Sequence, residues 1–184
     1  MKLILASSSP RRKEILSTLN IPFTIQAADI DETIDINLPL AKEIERLSFE
    51  KAKAVFNNNQ DAIIIGSDTI VTIDNTILGK PKNEEEAYEM LKKLQDKKHS
   101  VITAVTIYSK ENIETFSITS DVYFYPMSDE EIKNYIKTKE PMDKAGAYAI
   151  QGIASRFIKR IDGDYYAIIG LPIGEVYQRL KHFI

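Results

Sequence analysis

Cysteine is absent from this 184-residue chain. Disulfides, thiolate metal sites and a cysteine nucleophile are therefore excluded, and the composition suits a reducing cytoplasm. Histidine is scarce, with only His99 and His182, far apart in sequence, so a histidine-rich zinc site is not expected. Long apolar runs are missing too. The opening segment from Met1 to Ala6 is apolar but reaches Ser7, Ser8, Ser9 and Pro10 too soon for a signal-peptide core, and nothing approaches the roughly 18 residues of a membrane span. An excess of positive charge is lacking as well: 24 Lys and Arg stand against 27 Asp and Glu, a net charge of -3. An extended nucleic-acid surface is therefore not expected. Neither a Walker A pattern nor a Gly-x-Gly-x-x-Gly occurs, so any phosphate would be held mainly by Lys and Arg side chains. Repeats and Ser/Pro/Gly-rich linkers are absent. Residues 1–184 therefore read as one domain, or two small lobes sharing a core, with 43% hydrophobic residues to fill the interior.

What is present is an alternation of strands and helices. Lys2 to Ala6 reads as a short buried strand feeding a helix from Pro10 to Leu19, with Ser9 at its N-cap. Phe23 to Ala27 suggests a second strand, followed by an acidic loop with Asp29, Asp31 and Glu32 and a helix from about Pro39 to Asn57. Ala62 to Ile73 is a β-branched run that turns at Asp74-Asn75 into Ile77 to Lys80. A helix follows from Asn83 to Gln95, with Asn83 and Glu86 as its capping signature. Val101 to Tyr108 and Ile113 to Tyr125 then read as paired strands, and Ser128 to Lys137 as a helix capped by Ser128 and Glu131. Ile153 to Ile168 looks like a hairpin turning at Asp162-Gly163, and Pro172 begins a C-terminal helix. The fold class expected is α/β, a mixed sheet with helices on its faces.

Four places break the pattern. Arg11 and Arg12 follow Ser7-Ser8-Ser9-Pro10 at a helix N-terminus, where cations oppose the dipole by roughly 0.3–1 kcal/mol each. Either both point to solvent, or an anion is bound among them and the free backbone N–H groups. Lys51 falls at helical spacing from Ile44, Leu47 and Val55, inside an apolar stripe; it either snorkels or holds a phosphate or carboxylate in a cleft. Asp68 shares a strand face with Ile64 and Ile70, in the run Gly66-Ser67-Asp68-Thr69. A buried carboxylate must be paired, cap a loop or bind metal, and Gly66 would let a ligand approach the backbone. Leu78-Gly79-Lys80-Pro81 and Ala147-Tyr148-Ala149-Ile150-Gln151-Gly152 are loop-like segments that set a polar side chain beside glycine. Asp68 and Glu32 would suit Mg²⁺ or Mn²⁺.

Leu5-Ala6-Ser7 with Ser9-Pro10-Arg11-Arg12, Asp31-Glu32, Arg46-Leu47 with Lys51-Ala52, Gly66 with Asp68-Thr69, Leu78-Gly79-Lys80-Pro81, and Gly146 with Tyr148 and Ile150-Gln151-Gly152 occur in one order. That set resembles the Maf family of nucleotide pyrophosphatases, once described as septum-formation inhibitors, nearly end to end. The resemblance implies an elongated mixed sheet in two lobes around a cleft, often as a homodimer, and hydrolysis of nucleoside triphosphates to monophosphate and pyrophosphate with a divalent cation. The segment ending in Gln151 resembles the subfamily acting on dTTP and UTP; another, acting on 7-methyl-GTP, carries a serine-containing segment there. By the same resemblance Asp68 is the proton acceptor, and Arg11, Thr69 and Gln151 tune base specificity. Ser7, Arg12 and Lys51, with Lys80, would line the phosphate site, and Glu32 and Asp68 would hold the metal. Asp96 and Ala104 depart from the family's wording, standing where glycines are common. Three other readings remain open: the same hydrolysis aimed at modified or guanine nucleotides, a regulatory protein that binds dTTP or UTP without turnover, and a nucleotidyltransferase that needs an acceptor.

Overall fold

A computed structural model describes residues 2–184. Its strands are β1 (Lys2–Leu5), β2 (Thr24–Ile25), β3 (Ala62–Ile73), β4 (Thr76–Leu78), β5 (Lys98–Tyr108), β6 (Ile113–Phe124) and β7 (Ile158–Asp162). The helices are α1 (Pro10–Ser17), α2 (Leu40–Phe56), α3 (Glu84–Leu94), α4 (Asp129–Lys137), α5 (Tyr165–Ile169) and α6 (Ile173–Leu180). The strands form one seven-stranded sheet in the order β2-β1-β3-β5-β6-β7, with β4 paired to β3. It is mixed, as expected: β1 runs parallel to β2 and β3, whereas β4 and β7 are antiparallel to their neighbours. No helix among the described residues is long and apolar enough to cross a membrane.

The chain divides into two compact units. The first comprises residues 1–69, 103–118 and 166–184; the second comprises residues 70–102 and 119–165. In the first unit, β1 and the beginning of β3 are apolar on both faces, as buried parallel strands are. Leu3, Leu5, Ile63 and Ile65 pack with Ile15 and Leu16 of α1 and with Val176 and Leu180 of α6. Ile4, Ala6, Ala62 and Ile64 face the other way, onto Ala52 and Val55 of α2. Each large aliphatic side chain so buried contributes roughly 1.5–3 kcal/mol, which holds the two faces of β3 apart and fixes its register.

Gly66 is where β3 meets α2 most closely. A Cβ added there would stand 2.4 Å from the Ser48 carbonyl oxygen and 2.8 Å from the Ala52 nitrogen. This corrects the expectation that Gly66 opens the backbone to a ligand: the absent side chain admits α2 instead.

In the second unit, α3 and α4 are both capped as their sequences indicate. Asn83 accepts from the Glu86 N–H, and Ser128 and Glu131 form a reciprocal capping box. Glu86 does not complete the same box; its carboxylate reaches back one residue further, to the Lys82 N–H at 2.7 Å. Asp96 has φ of 53°, a left-handed conformation that explains why glycine suits that position and that Asp tolerates better than most residues. Ile153–Ile168 is not a hairpin. Ile153–Phe157 forms a 3₁₀ turn, β7 pairs antiparallel with β6, and Gly163 at φ 134° leads into a short helix. Only Ile158–Asp162 of the expected hairpin is a strand: the residues before it are wound into a 3₁₀ turn whose Ile153 and Ala154 N–H groups bond Glu140, and those after it turn at Gly163 into α5.

Candidate active site

Period two along β3 separates two adjacent side chains. Asp68 continues the face of Ile64, toward α2, while Thr69 continues the face of Ile65, toward α1. Each meets a cation that its sequence spacing had singled out. Lys51 comes from the apolar stripe of α2 and is only 7% exposed. It does not snorkel: its Nζ lies 2.5 Å from Asp68 Oδ1 and 2.8 Å from Glu32 Oε1. The ammonium is thereby buried with two carboxylates, the condition under which a charge in such a stripe is tolerated.

Glu32 itself is largely exposed, and the loop that presents it is tied down from α2. Arg46 donates to the Thr33 carbonyl at 2.8 Å and pairs with Glu43, whose other contact accepts the Asp35 N–H at 3.0 Å. Asp31 closes a local turn by accepting from the N–H and hydroxyl of Thr33. The Arg46–Glu43 hydrogen bonding holds the Glu43 carboxyl below its ordinary range.

On the opposite face of β3, Ser9 caps α1 by accepting from the Arg12 N–H, so the first turn of α1 delivers Arg12 inward. Its guanidinium donates to three neutral oxygens: the Gly170 carbonyl at 2.9 Å, Ser7 Oγ at 3.2 Å and Thr69 Oγ1 at 3.1 Å. Burial lowers its pKa, opposed by the charge of Asp68; neighbouring Arg11 lowers it further and Glu32 raises it. No carboxylate among the described residues is within ion-pairing distance of it. A partly desolvated guanidinium held only by neutral acceptors keeps its full charge available to an anion. The first unit thus gathers the cations Arg12 and Lys51 with the carboxylates Glu32 and Asp68 on the two faces of β3, with Ser7 bonded to the Arg12 guanidinium.

Three supporting residues were not singled out from the sequence. Thr103 on β5 hydrogen-bonds Thr69 at 2.8 Å and the Ala167 carbonyl at 2.7 Å. Ser67 donates to the same Gly170 carbonyl that Arg12 uses. Gly170 adopts φ of 126° after α5, two residues before Pro172. Glycine just after a helix and shortly before proline is a stop signal, and it was the available clue.

The remaining candidates, Lys80 and Gln151, belong to the second unit, and both are exposed. Their loops are joined to each other through the backbone: the Gly146 N–H donates to the Gly79 carbonyl at 3.1 Å. Gly146 takes φ of 69°, and a Cβ there would come within 3.0 Å of Val71. No group of three or more His, Cys, Asp or Glu residues able to hold a metal occurs among the described residues.

Compared with known protein families, residues 2–183 match the model described as "Maf-like protein". The chain belongs to the Maf family. Curated Maf relatives agree over nearly the full length. A protein of Bacillus velezensis (strain DSM 23117 / BGSC 10A6 / LMG 26770 / FZB42) is 49% identical over 182 residues, covering 99% of this chain and 96% of its own. One of Bacillus cereus (strain G9842) is 49% identical, with 99% and 95% covered. One of Bacillus mycoides (strain KBAB4) is 47% identical with the same coverage. All three bear the name dTTP/UTP pyrophosphatase.

Proposed function

We propose that this chain hydrolyses dTTP and UTP to the nucleoside monophosphate and pyrophosphate, with Asp68 as proton acceptor and Mg²⁺ or Mn²⁺ as cofactor. The observation that carries the reading is the convergence of Asp68 and Glu32 on one buried ammonium, with the uncompensated guanidinium of Arg12 on the other face of the same strand. Relatives nearly half identical over the full length supply the substrate class.

The donor set fits a hard dication. Glu32 and Asp68 offer oxygen only, and two carboxylates completed by water and phosphate oxygens are a common environment for Mg²⁺. When bound there, the ion supplies positive charge that polarises the phosphoryl group and offsets charge on the triphosphate. The chain's own residues do the rest. Asp68 Oδ1 is engaged by Lys51, and no hydrogen bond to its other oxygen is present among the described residues, which leaves Oδ2 to accept the proton of an attacking water. That water's oxygen bonds to the α-phosphorus, the bond from the α-phosphorus to the bridging oxygen breaks, and pyrophosphate departs with the electron pair.

Arg12 and Lys51 bind phosphate oxygens, together with Ser7, and Lys80 is a further phosphate-binding residue on the family resemblance. One well-placed donor of this kind is typically worth about 3 kcal/mol. Arg11, Thr69 and Gln151 set the preference for the base. The homodimer implied by the family resemblance is part of the same proposal, and light scattering at assay concentration reads it. Hydrolysis in water carrying heavy oxygen tests the reaction. The label is expected in the monophosphate; its appearance in pyrophosphate or inorganic phosphate would place the attack elsewhere and refute the scheme.

A further inference from the structure

Gln151 makes no side-chain hydrogen bond among the described residues, yet the backbone on both sides of it is held by one partly buried polar network of the second unit. The Glu140 carboxylate accepts the Ile153 N–H at 2.9 Å through Oε2 and the Ala154 N–H at 3.4 Å through Oε1. The same Oε1 accepts the Tyr135 hydroxyl at 2.8 Å, and that hydroxyl accepts the Ala149 N–H at 3.4 Å. The segment from Ala149 to Ala154 is therefore fastened at both ends, with Gln151 at its middle.

The fit against the carboxylate is close. A Cβ at Gly152 would lie 2.3 Å from Glu140 Oε2 and 2.5 Å from its Cδ, so a side chain after Gln151 would push the carboxylate out of its place. The clamp itself is rigidly seated. Tyr135 is fully buried on α4, its ring edge-on to Phe157 at 5.9 Å. Glu140 follows Lys139, which takes the left-handed conformation at φ of 63°, and precedes Pro141 in a 3₁₀ turn. Burial, then the hydrogen bond to Glu140, raises the Tyr135 pKa, so its hydroxyl remains a donor.

We propose that Glu140 and Tyr135 are positioning residues for nucleotide choice: they hold the turn that presents the Gln151 amide to the base. This rests on the reading of Gln151 as a base contact. A carboxylate that only capped the 3₁₀ turn at Ile153 would stabilise the fold without affecting which nucleotide is preferred. A residue that places Gln151 must change the ranking, and must do so through Gln151.

The test compares kcat/KM for dTTP and CTP in the metal-loaded full chain of Glu140→Ala, Glu140→Gln, Tyr135→Phe, Gln151→Ala and the Glu140→Ala/Gln151→Ala double variant. Glu140→Ala is expected to shrink the dTTP preference at least about fivefold, and Glu140→Gln, which keeps an acceptor oxygen, to restore most of it. In the Gln151→Ala background, Glu140→Ala should change the ratio no further, the non-additivity expected of residues acting as a unit. If Glu140→Ala fails to fold, Tyr135→Phe carries the test, with an expected loss of preference in the same direction. An unchanged ratio in Glu140→Ala or Tyr135→Phe, while Gln151→Ala shifts it, overturns the positioning role alone. An unchanged ratio in Gln151→Ala overturns the base-contact reading, and the positioning proposal with it.

Discussion

His99 should make the stability of the protein fall with acid in a way that one substitution removes. The ring is 2% exposed on β5, edge-on to Phe124 and Tyr148. Its Nε2 lies 2.7 Å from the Tyr148 hydroxyl, while Nδ1 has no hydrogen-bond partner among the described residues. Burial pushes the imidazole down from 6.5 to about 4, against the opposing charge of Asp121. The folded state therefore releases its proton more readily than the unfolded chain does. Between about pH 6.5 and 4 the unfolded state holds more protons, so stability is complete above that window and is lost as pH falls through it. At about 1.4 kcal/mol per pKa unit, the full loss is about 3 kcal/mol, and roughly 2 kcal/mol is gone by about pH 5. For a chain of this length that is a fall of about 4–8 °C in Tm. The assay is thermal or denaturant unfolding of wild type and His99→Phe at about pH 7.5 and about pH 5. Carboxylates titrate in both proteins and cancel in the difference, so wild type should lose more stability than the variant by the amount given. Curves that stay parallel across that range would refute the buried neutral imidazole.

Other consequences are as direct. Gly66→Ala forces α2 away from β3 and should cost about 1–3 kcal/mol in denaturant unfolding, with activity reduced because α2 carries Lys51; a wild-type midpoint would show that the helix does not seat there. Asp96→Gly should leave stability within about 0.5 kcal/mol of wild type or raise it, whereas Asp96→Val, forced to φ of 53°, should lose about 1–2 kcal/mol. Arg12→Lys cannot reproduce the fork to Gly170, Ser7 and Thr69, and kcat/KM for dTTP should drop about 10–100-fold; a drop under about twofold would remove the guanidinium geometry from the account.

Asp68 and Lys51 were legible because each violates a periodicity: a carboxylate at period two in an apolar strand, an ammonium at helical spacing in an apolar stripe. Glu32 was set beside Asp68 as an oxygen ligand, but the ion pairs of both with Lys51 were not legible, since the Glu32 contact depends on a loop whose path is set by Arg46 and Glu43 rather than by any local pattern. Gly66 was noticed for the wrong reason, because a glycine in a strand marks a close approach without saying whether ligand or helix makes it. Ile153–Ile168 departs from the expected hairpin because no local pattern there announces a 3₁₀ turn, and the deciding contact comes from Glu140, outside the segment. Thr69 and Arg12 were named separately, and only the fold shows them hydrogen-bonded.

The most direct measurement is product analysis of the purified chain with Mg²⁺ and each of dTTP, UTP, CTP, GTP and 7-methyl-GTP, for wild type and Asp68→Asn. Wild type is expected to give monophosphate and pyrophosphate from dTTP and UTP in preference to the others, with kcat at least about a hundredfold lower in the variant. Diphosphate and inorganic phosphate as products, saturable binding without turnover, or near-normal turnover in Asp68→Asn would each contradict the account.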